Sequence, residues 1–114
     1  MHGAIAALSG PQDNVKSNVA ILRDRLDTFI QALHRIGWEV PTPPATMYIW
    51  AKLPEAWASD SLTFAANLVE NTGVAVAPGA GFGRFGEGYV RFALVHQPQI
   101  LETAVTRISK FLYP

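Results

Sequence analysis

Apolar residues first recur along the chain at helical spacing. Val15, Val19, Leu22, Leu26, Phe29, Ile30, Leu33 and Ile36 follow one another at steps of four and three, which makes one continuous stripe on a helix. Asp13 or Pro11 can start this helix, and Gly37 closes it in the position that favours glycine. The pattern predicts a helix over 13–36, roughly 36 Å long at 1.5 Å per residue. A domain of this size cannot cover such a length, so one end is expected to protrude or to lie on a partner. Before it, MHGAIAALSG is a short apolar piece ending in Ser9-Gly10-Pro11. It is too short to stand as a helix by itself. Residues 1–10 therefore read as the remnant of an element that begins upstream, or as a cloning scar at Met1-His2-Gly3.

The pattern then changes. PTPPAT at 41–46 is a rigid loop, and residues 47–53 are rich in aromatic and branched side chains, as a strand requires. Pro54 ends that strand. Asp60 or Ser59 caps a second helix that runs to about Thr72, where Gly73 stops it. Val74 to Ala77 reads as a short buried strand, and Tyr89 to Val95 as a third. Pro98 opens a last helix with Leu101, Ala104, Val105, Ile108, Phe111 and Leu112 on one face. This order predicts an α+β fold: a small mixed sheet of about three strands packed against helices on one side, preceded by one long amphipathic helix. The α+β unit is placed at 46–112, within a single domain over 11–114.

Composition narrows the function classes. A chain of 114 residues fits one domain with a modest core. Apolar residues make up 49% and charged residues 16%, which argues against disorder and leaves part of the surface suited to lie against another surface. Nine basic and nine acidic residues balance, and no basic stripe appears, so no nucleic-acid partner is expected. No run approaches a membrane span, and no charged n-region precedes a long apolar stretch, so neither a membrane partner nor a signal peptide is expected. The absence of cysteine removes disulfides, thiolate nucleophiles and cysteine-based metal sites, and fits a cytoplasmic setting. His2, His34 and His96 lack metal-ligand spacing and read as solvated or core residues; no metal site is expected. Trp38, Trp50 and Trp57 are expected to pack.

Residues 78–92, PGAGFGRFGEGYVRF, carry the candidate chemistry. Gly81, Gly83 and Gly86 fit the spacing of a dinucleotide-binding loop, but that loop must open a helix, and here a strand follows. A Walker ending is absent, and the following strand carries no lysine of the kinase type. The glycines read instead as positions that permit positive φ in a tight connection. Phe82 and Phe85 either pack on the sheet or line a pocket as part of a lid. Arg91 alternates with Val90 and Phe92, so it faces the side of the strand shared with Tyr89 and Ala93. If that side is covered, the guanidinium needs an anion, and a bidentate carboxylate fits its fork best. A structural salt bridge to Glu87, Glu102 or another acid is the competing reading.

Several segments together resemble the C-terminal small domain of the class I/II, fold-type-I, pyridoxal-phosphate-dependent aminotransferases. Arg23-Asp24 with Leu33 and Gly37-Trp38 is similar to the family's arginine–aspartate helix and its leucine–glycine end. Residues 45–54, ATMYIWAKLP, look like the first small-domain strand. Residues 73–79, GVAVAPG, with Phe82-Gly83 look like the Pro-Gly-x-x-Phe-Gly segment, and residues 86–91, GEGYVR, like the closing Gly-x-Gly-Tyr-x-Arg. The resemblance runs from about Pro11 onward, and its flavour is that of the LL-diaminopimelate and aspartate aminotransferase branch. Leu22 departs from it, standing where the family pairs a second arginine with Arg23.

The resemblance implies an aminotransferase-like two-layer sandwich. It implies that Arg91 grips the α-carboxylate of an amino acid or 2-oxo acid. It also implies that the stretch with Gly79, Phe82 and Gly83 lines the cleft and lets the domain close. Pyridoxal phosphate would belong to the parent enzyme, whose cofactor-binding lysine, acid and phosphate cradle sit in a large domain upstream. Lys16, Lys52 and Lys110 do not lie in the family's Ser/Thr-Lys context. No covalent cofactor and no catalytic residue are therefore expected on this chain. The expected partner is the large domain or a second copy of the chain. Two other readings stay open: a stand-alone carboxylate-binding or self-association module, and an inert fragment.

Overall fold

A computed structural model describes all residues from Met1 to Pro114. The long helix, α2, spans Asp13–Arg35. It ends in a Schellman motif: Gly37 takes φ +86°, its N–H donates to the His34 carbonyl, and the Trp38 N–H donates to the Leu33 carbonyl at 3.0 Å. Leu33 and Trp38 both enter the core, the apolar contact that accompanies this motif. Burial of the stripe is confined to the C-terminal part of α2, at Phe29, Ile30, Ala32 and Leu33. Val15 and Val19 remain about half exposed, so it is the N-terminal half that protrudes. Ahead of it, His2–Ser9 form a helix, α1, in which no residue is buried. The piece that is too short to stand as a helix by itself is helical here without burying a residue. The Ser9 hydroxyl bonds back to the Ile5 carbonyl and the Gln12 amide to the Ala7 and Gly10 carbonyls, which satisfies groups that would otherwise fray.

The sheet has three strands: β1 (Tyr48–Lys52), β2 (Ala77–Pro78) and β3 (Tyr89–Ala93). Their order is β1-β3-β2, so the last strand in sequence is the central one. Both pairings are antiparallel, with Trp50 opposite Arg91 on one side and Ala77 opposite Arg91 on the other. The α+β class and the strand count agree with expectation, but the sheet is antiparallel throughout and not mixed. The reason lies in the topology. β1 and β2 do run the same way, joined across a helix, but β3 lies between them and pairs with each. The short strand expected at 74–77 is displaced to Ala77–Pro78. Val74 turns out of the preceding helix by donating its N–H to the Thr72 hydroxyl, and the backbone reaches β3 only at Ala77. Pro78 has no N–H to offer a further neighbour, as suits an edge.

Helix α3 (Ser61–Thr72) is capped by Asp60, whose carboxylate accepts from the Thr63 N–H at 3.0 Å and the Thr63 hydroxyl at 2.7 Å. These bonds favour the ionised carboxylate and hold Asp60 below the usual aspartate value. Gly73, at φ +75°, ends the helix. Helix α4 (Pro98–Leu112) starts on its proline, which needs no hydrogen bond there. The buried part of α2, with α3 and α4, covers one face of the sheet. Ile49, Ala51, Val90 and Phe92 project into that layer and meet Leu33, Leu68, Leu101 and Ile108. Trp38 sets its edge against both Phe64 and Phe92, and its indole N–H donates to the Lys52 carbonyl at 2.8 Å. Burying each large apolar side chain contributes roughly 1.5–3 kcal/mol, so this single layer supplies most of the stability. No helix is long and apolar enough to cross a membrane.

Candidate functional site

No helix covers the opposite face of the sheet. Alternation along β1 and β3 sends Tyr48, Trp50, Tyr89 and Arg91 onto it, while their neighbours enter the core. Trp50 is stacked on Tyr89, with centroids 5.3 Å apart and planes 10° apart. Phe82, arriving from the glycine loop, turns its ring edgewise to Trp50 at 5.7 Å. The Arg91 guanidinium carbon lies 4.2 Å from the Tyr48 ring centroid and 4.9 Å from that of Phe82. The cation is thus held between two aromatic faces, each contact worth about 0.5–2 kcal/mol. Arg91 Nε is buried and has no hydrogen-bond partner.

The two acids named as partners for Arg91 are placed elsewhere. Both Glu87 oxygens are engaged at the start of α3: one accepts from the Ser61 N–H at 2.7 Å, the other from the Ser61 hydroxyl at 3.0 Å. Glu102 is exposed on α4, in the helical layer. The half-buried guanidinium, framed by aromatic rings, keeps an unpartnered Nε–H that can donate to an anion. Its planar fork matches a carboxylate. Arg25 also has a buried unpartnered Nε, but it donates to the Leu94 carbonyl at 3.2 Å and braces the end of β3.

The glycine loop runs as two 3₁₀ turns, Gly79–Phe82 and Arg84–Gly86. Its glycines answer to two demands. Gly83 and Gly88 take positive φ, as expected. Gly79 and Gly86 do not; they let two backbones touch. A Cβ on Gly86 would run into the Gly79 carbonyl, and one on Gly79 into that of Gly86. Gly79 is therefore buried at the base of the loop, Gly83 sits at its bend, and Phe82 is carried to Arg91. Phe85 stands apart, 86% exposed.

Ser61 is the site residue that the sequence pattern did not single out. It is fully buried, and its hydroxyl accepts from the Ala80 N–H at 3.1 Å while donating to Glu87. The available signal was one acid set between two glycines, Gly86-Glu87-Gly88, with a serine directly after the Asp60 cap.

Trp38 packs as expected and Trp57 stacks on Phe111, but Trp50 is 41% exposed on the open face and belongs to the site. All three histidines are exposed; His34 Nε2 lies 3.0 Å from the Val40 carbonyl and ties the loop after α2. Lys16, Lys52 and Lys110 are all exposed. Lys52 is the one that shares the open face, opposite Tyr89 at the far end of β1. These residues do not fit pyridoxal phosphate: no lysine is withdrawn from water, and no enclosed cradle of N–H groups accompanies one.

The family model described as aminotransferase class I and II matches residues 2–108. The LL-diaminopimelate aminotransferase of Dehalococcoides mccartyi is 44% identical over 108 residues, which span 95% of this chain and 27% of that protein. Among solved structures, BacF from Bacillus subtilis superposes with a TM-score of 0.88 at 35% identity, over 96% of this chain and 28% of its own. The alanine aminotransferase from Pyrococcus furiosus gives the same TM-score at 31% identity, again over 96% and 28%. The chain thus spans about a quarter of the length of the curated relatives it matches.

Proposed function

The chain belongs to the class I and II aminotransferase family, and from that premise we propose that it is the small, C-terminal domain of such an enzyme. Its work is to bind the α-carboxylate of an amino acid or 2-oxo acid through Arg91 and to close over it. The parent reaction is then amino-group transfer between the two, with pyridoxal phosphate supplying the chemistry. The cofactor is assigned to the remaining three-quarters of the parent, since the lysines here do not fit it. The 114-residue chain alone is read as non-catalytic, and the setting as cytoplasmic.

The observation that carries this reading is the unpaired Arg91 between Tyr48 and Phe82. The rings exclude water from the guanidinium, which strengthens its bond to an incoming carboxylate. The relatives' names contain different amino acids, LL-diaminopimelate and alanine. The α-carboxylate is common to both, and it is the part of the substrate this chain is proposed to read. The protruding half of α2 and the exposed α1 supply the apolar surface that the rest of the parent would cover.

Two experiments test this. Titration of the chain with L-alanine, followed by NMR at the Tyr48 ring beside Arg91, which both proteins keep, should saturate. Arg91→Ala should weaken it by about 10–100-fold, the worth of a hydrogen-bonded charge at roughly 1.5–3 kcal/mol. Equal binding by both proteins sinks the assignment. Borohydride reduction after incubation with pyridoxal phosphate should leave no lysine stoichiometrically modified; full capture at one lysine overturns the non-catalytic reading. A second reading, self-association of the chain, is favoured by the half-exposed Val15, Val19 and Ile21 on α2 and would appear as a dimer in light scattering.

A further inference from the structure

Arg91 is held by rings, and one of those rings hangs on a loop. Phe82 lies at the end of the first 3₁₀ turn and is itself 55% exposed, so core packing does not fix it. The loop is tied down two residues earlier. The Ala80 N–H donates to the Ser61 hydroxyl, and that hydroxyl donates to Glu87. The second Glu87 oxygen takes the Ser61 N–H, a free donor in the first turn of α3, where the helix dipole favours a negative charge. A continuous chain of hydrogen bonds therefore runs from the start of α3 through Ser61 to the backbone that carries Phe82. Glu87 closes it from the other end of the same loop. The close approach of Gly79 to Gly86 brings the loop's two ends together at this point.

From this connectivity we propose that Ser61 and Glu87 are positioning residues for the carboxylate clamp: they latch the glycine loop so that Phe82 stands over Arg91. Neither touches the guanidinium. They act through Ala80 and Phe82, and the role rests on the reading of Arg91 as the carboxylate fork. A charged carboxylate suits the task because it accepts from both Ser61 donors at once and leaves the Ser61 oxygen free to receive the Ala80 N–H.

The test is made without ligand, so that its failure stays distinct from failure of carboxylate binding. The Arg91 Nε–H resonance reports the rings on either side of the guanidinium. Phe82→Ala sets the reference displacement of that signal. Glu87→Ala and Ser61→Ala should reproduce at least half of it in the same direction, with the Val90 and Phe92 amide signals unmoved. Glu87→Gln keeps an acceptor for the Ser61 N–H but not for its hydroxyl, and should displace the signal by less than Glu87→Ala does. An Arg91 signal that stays at its wild-type position in both alanine variants overturns the proposal. So does displacement of the core amides along with it, or loss of the fold, because the pair would then be holding the domain and not the clamp.

Discussion

Replacing Gly86 with alanine tests the reading of the loop most sharply. A Cβ there would meet the Gly79 carbonyl oxygen and, at 2.8 Å, its carbon, with the Gly79 Cα at 3.3 Å. All three are backbone atoms, so no side chain can rotate out of the way. The loop base must open, which strains the contact between the two 3₁₀ turns and lifts the start of β3. Overpacking of this kind typically costs about 1–3 kcal/mol, and a backbone obstacle belongs at the upper end. A domain of this size has roughly 5–15 kcal/mol in total. Gly81 is the internal control: it lies in the same loop, has no atom within 4 Å of a built Cβ and does not take positive φ. Gly81→Ala should therefore be neutral or stabilising by up to about 1 kcal/mol, through the unfolded chain. In urea, with a slope of about 1–3 kcal/mol per molar, Gly86→Ala should lower the midpoint by about 1–2 M and Gly81→Ala should not lower it. Equal midpoints for the two variants would refute the argument that room, and not flexibility, selects glycine at position 86.

Phe64→Ala removes a fully buried ring that meets Trp38, Trp57 and Phe111, and should cost about 3–5 kcal/mol in the same urea assay. Asp60→Ala should lower the thermal midpoint at neutral pH. The folded-state value of Asp60 is depressed, so its contribution is present above the unfolded aspartate value near 3.9 and is lost as pH falls through the folded one. The gap between variant and wild type, measured at pH 7 and again near pH 2, should therefore shrink in acid. Val15→Glu with Val19→Glu should change stability by less than about 0.5 kcal/mol, since both residues are half exposed, but should abolish any dimer seen by light scattering.

The elements with punctuated ends were legible from the chain alone. Gly37 and Gly73 stop α2 and α3 where positive φ is needed, Asp60 caps α3, and Pro98 opens α4. Periodicity also put Arg91 on the face opposite Val90 and Phe92, without saying which of the two faces is covered. What was not legible depends on contacts distant in sequence. The displacement of β2 to Ala77–Pro78 follows from where β3 lies, which no local pattern encodes. Trp50 looks like any core aromatic until its register opposite Arg91 puts it on the uncovered face. Ser61 and Glu87 are 26 residues apart, and nothing in either segment announces the other. The two demands on the loop glycines, room and dihedral, are spelled with the same letter.

The β1-β3-β2 order has a consequence for how the chain leaves the ribosome. β3 is the only neighbour that either outer strand possesses, and it is synthesised last, about 45 residues after β1 begins. At roughly 5–20 residues per second, β1 waits on the order of 2–9 s with both edges open. During that delay Ile49 and Ala51, destined for the interior, face water on a strand that any other nascent chain could pair with. Lys52 and Pro54 at its exit are the residue types that discourage such pairing. Assembly of the sheet is therefore a single late event, triggered when Tyr89–Ala93 slides between two strands already made. A nascent chain stalled before that point has no sheet for the segments of α2 and α3 to cover.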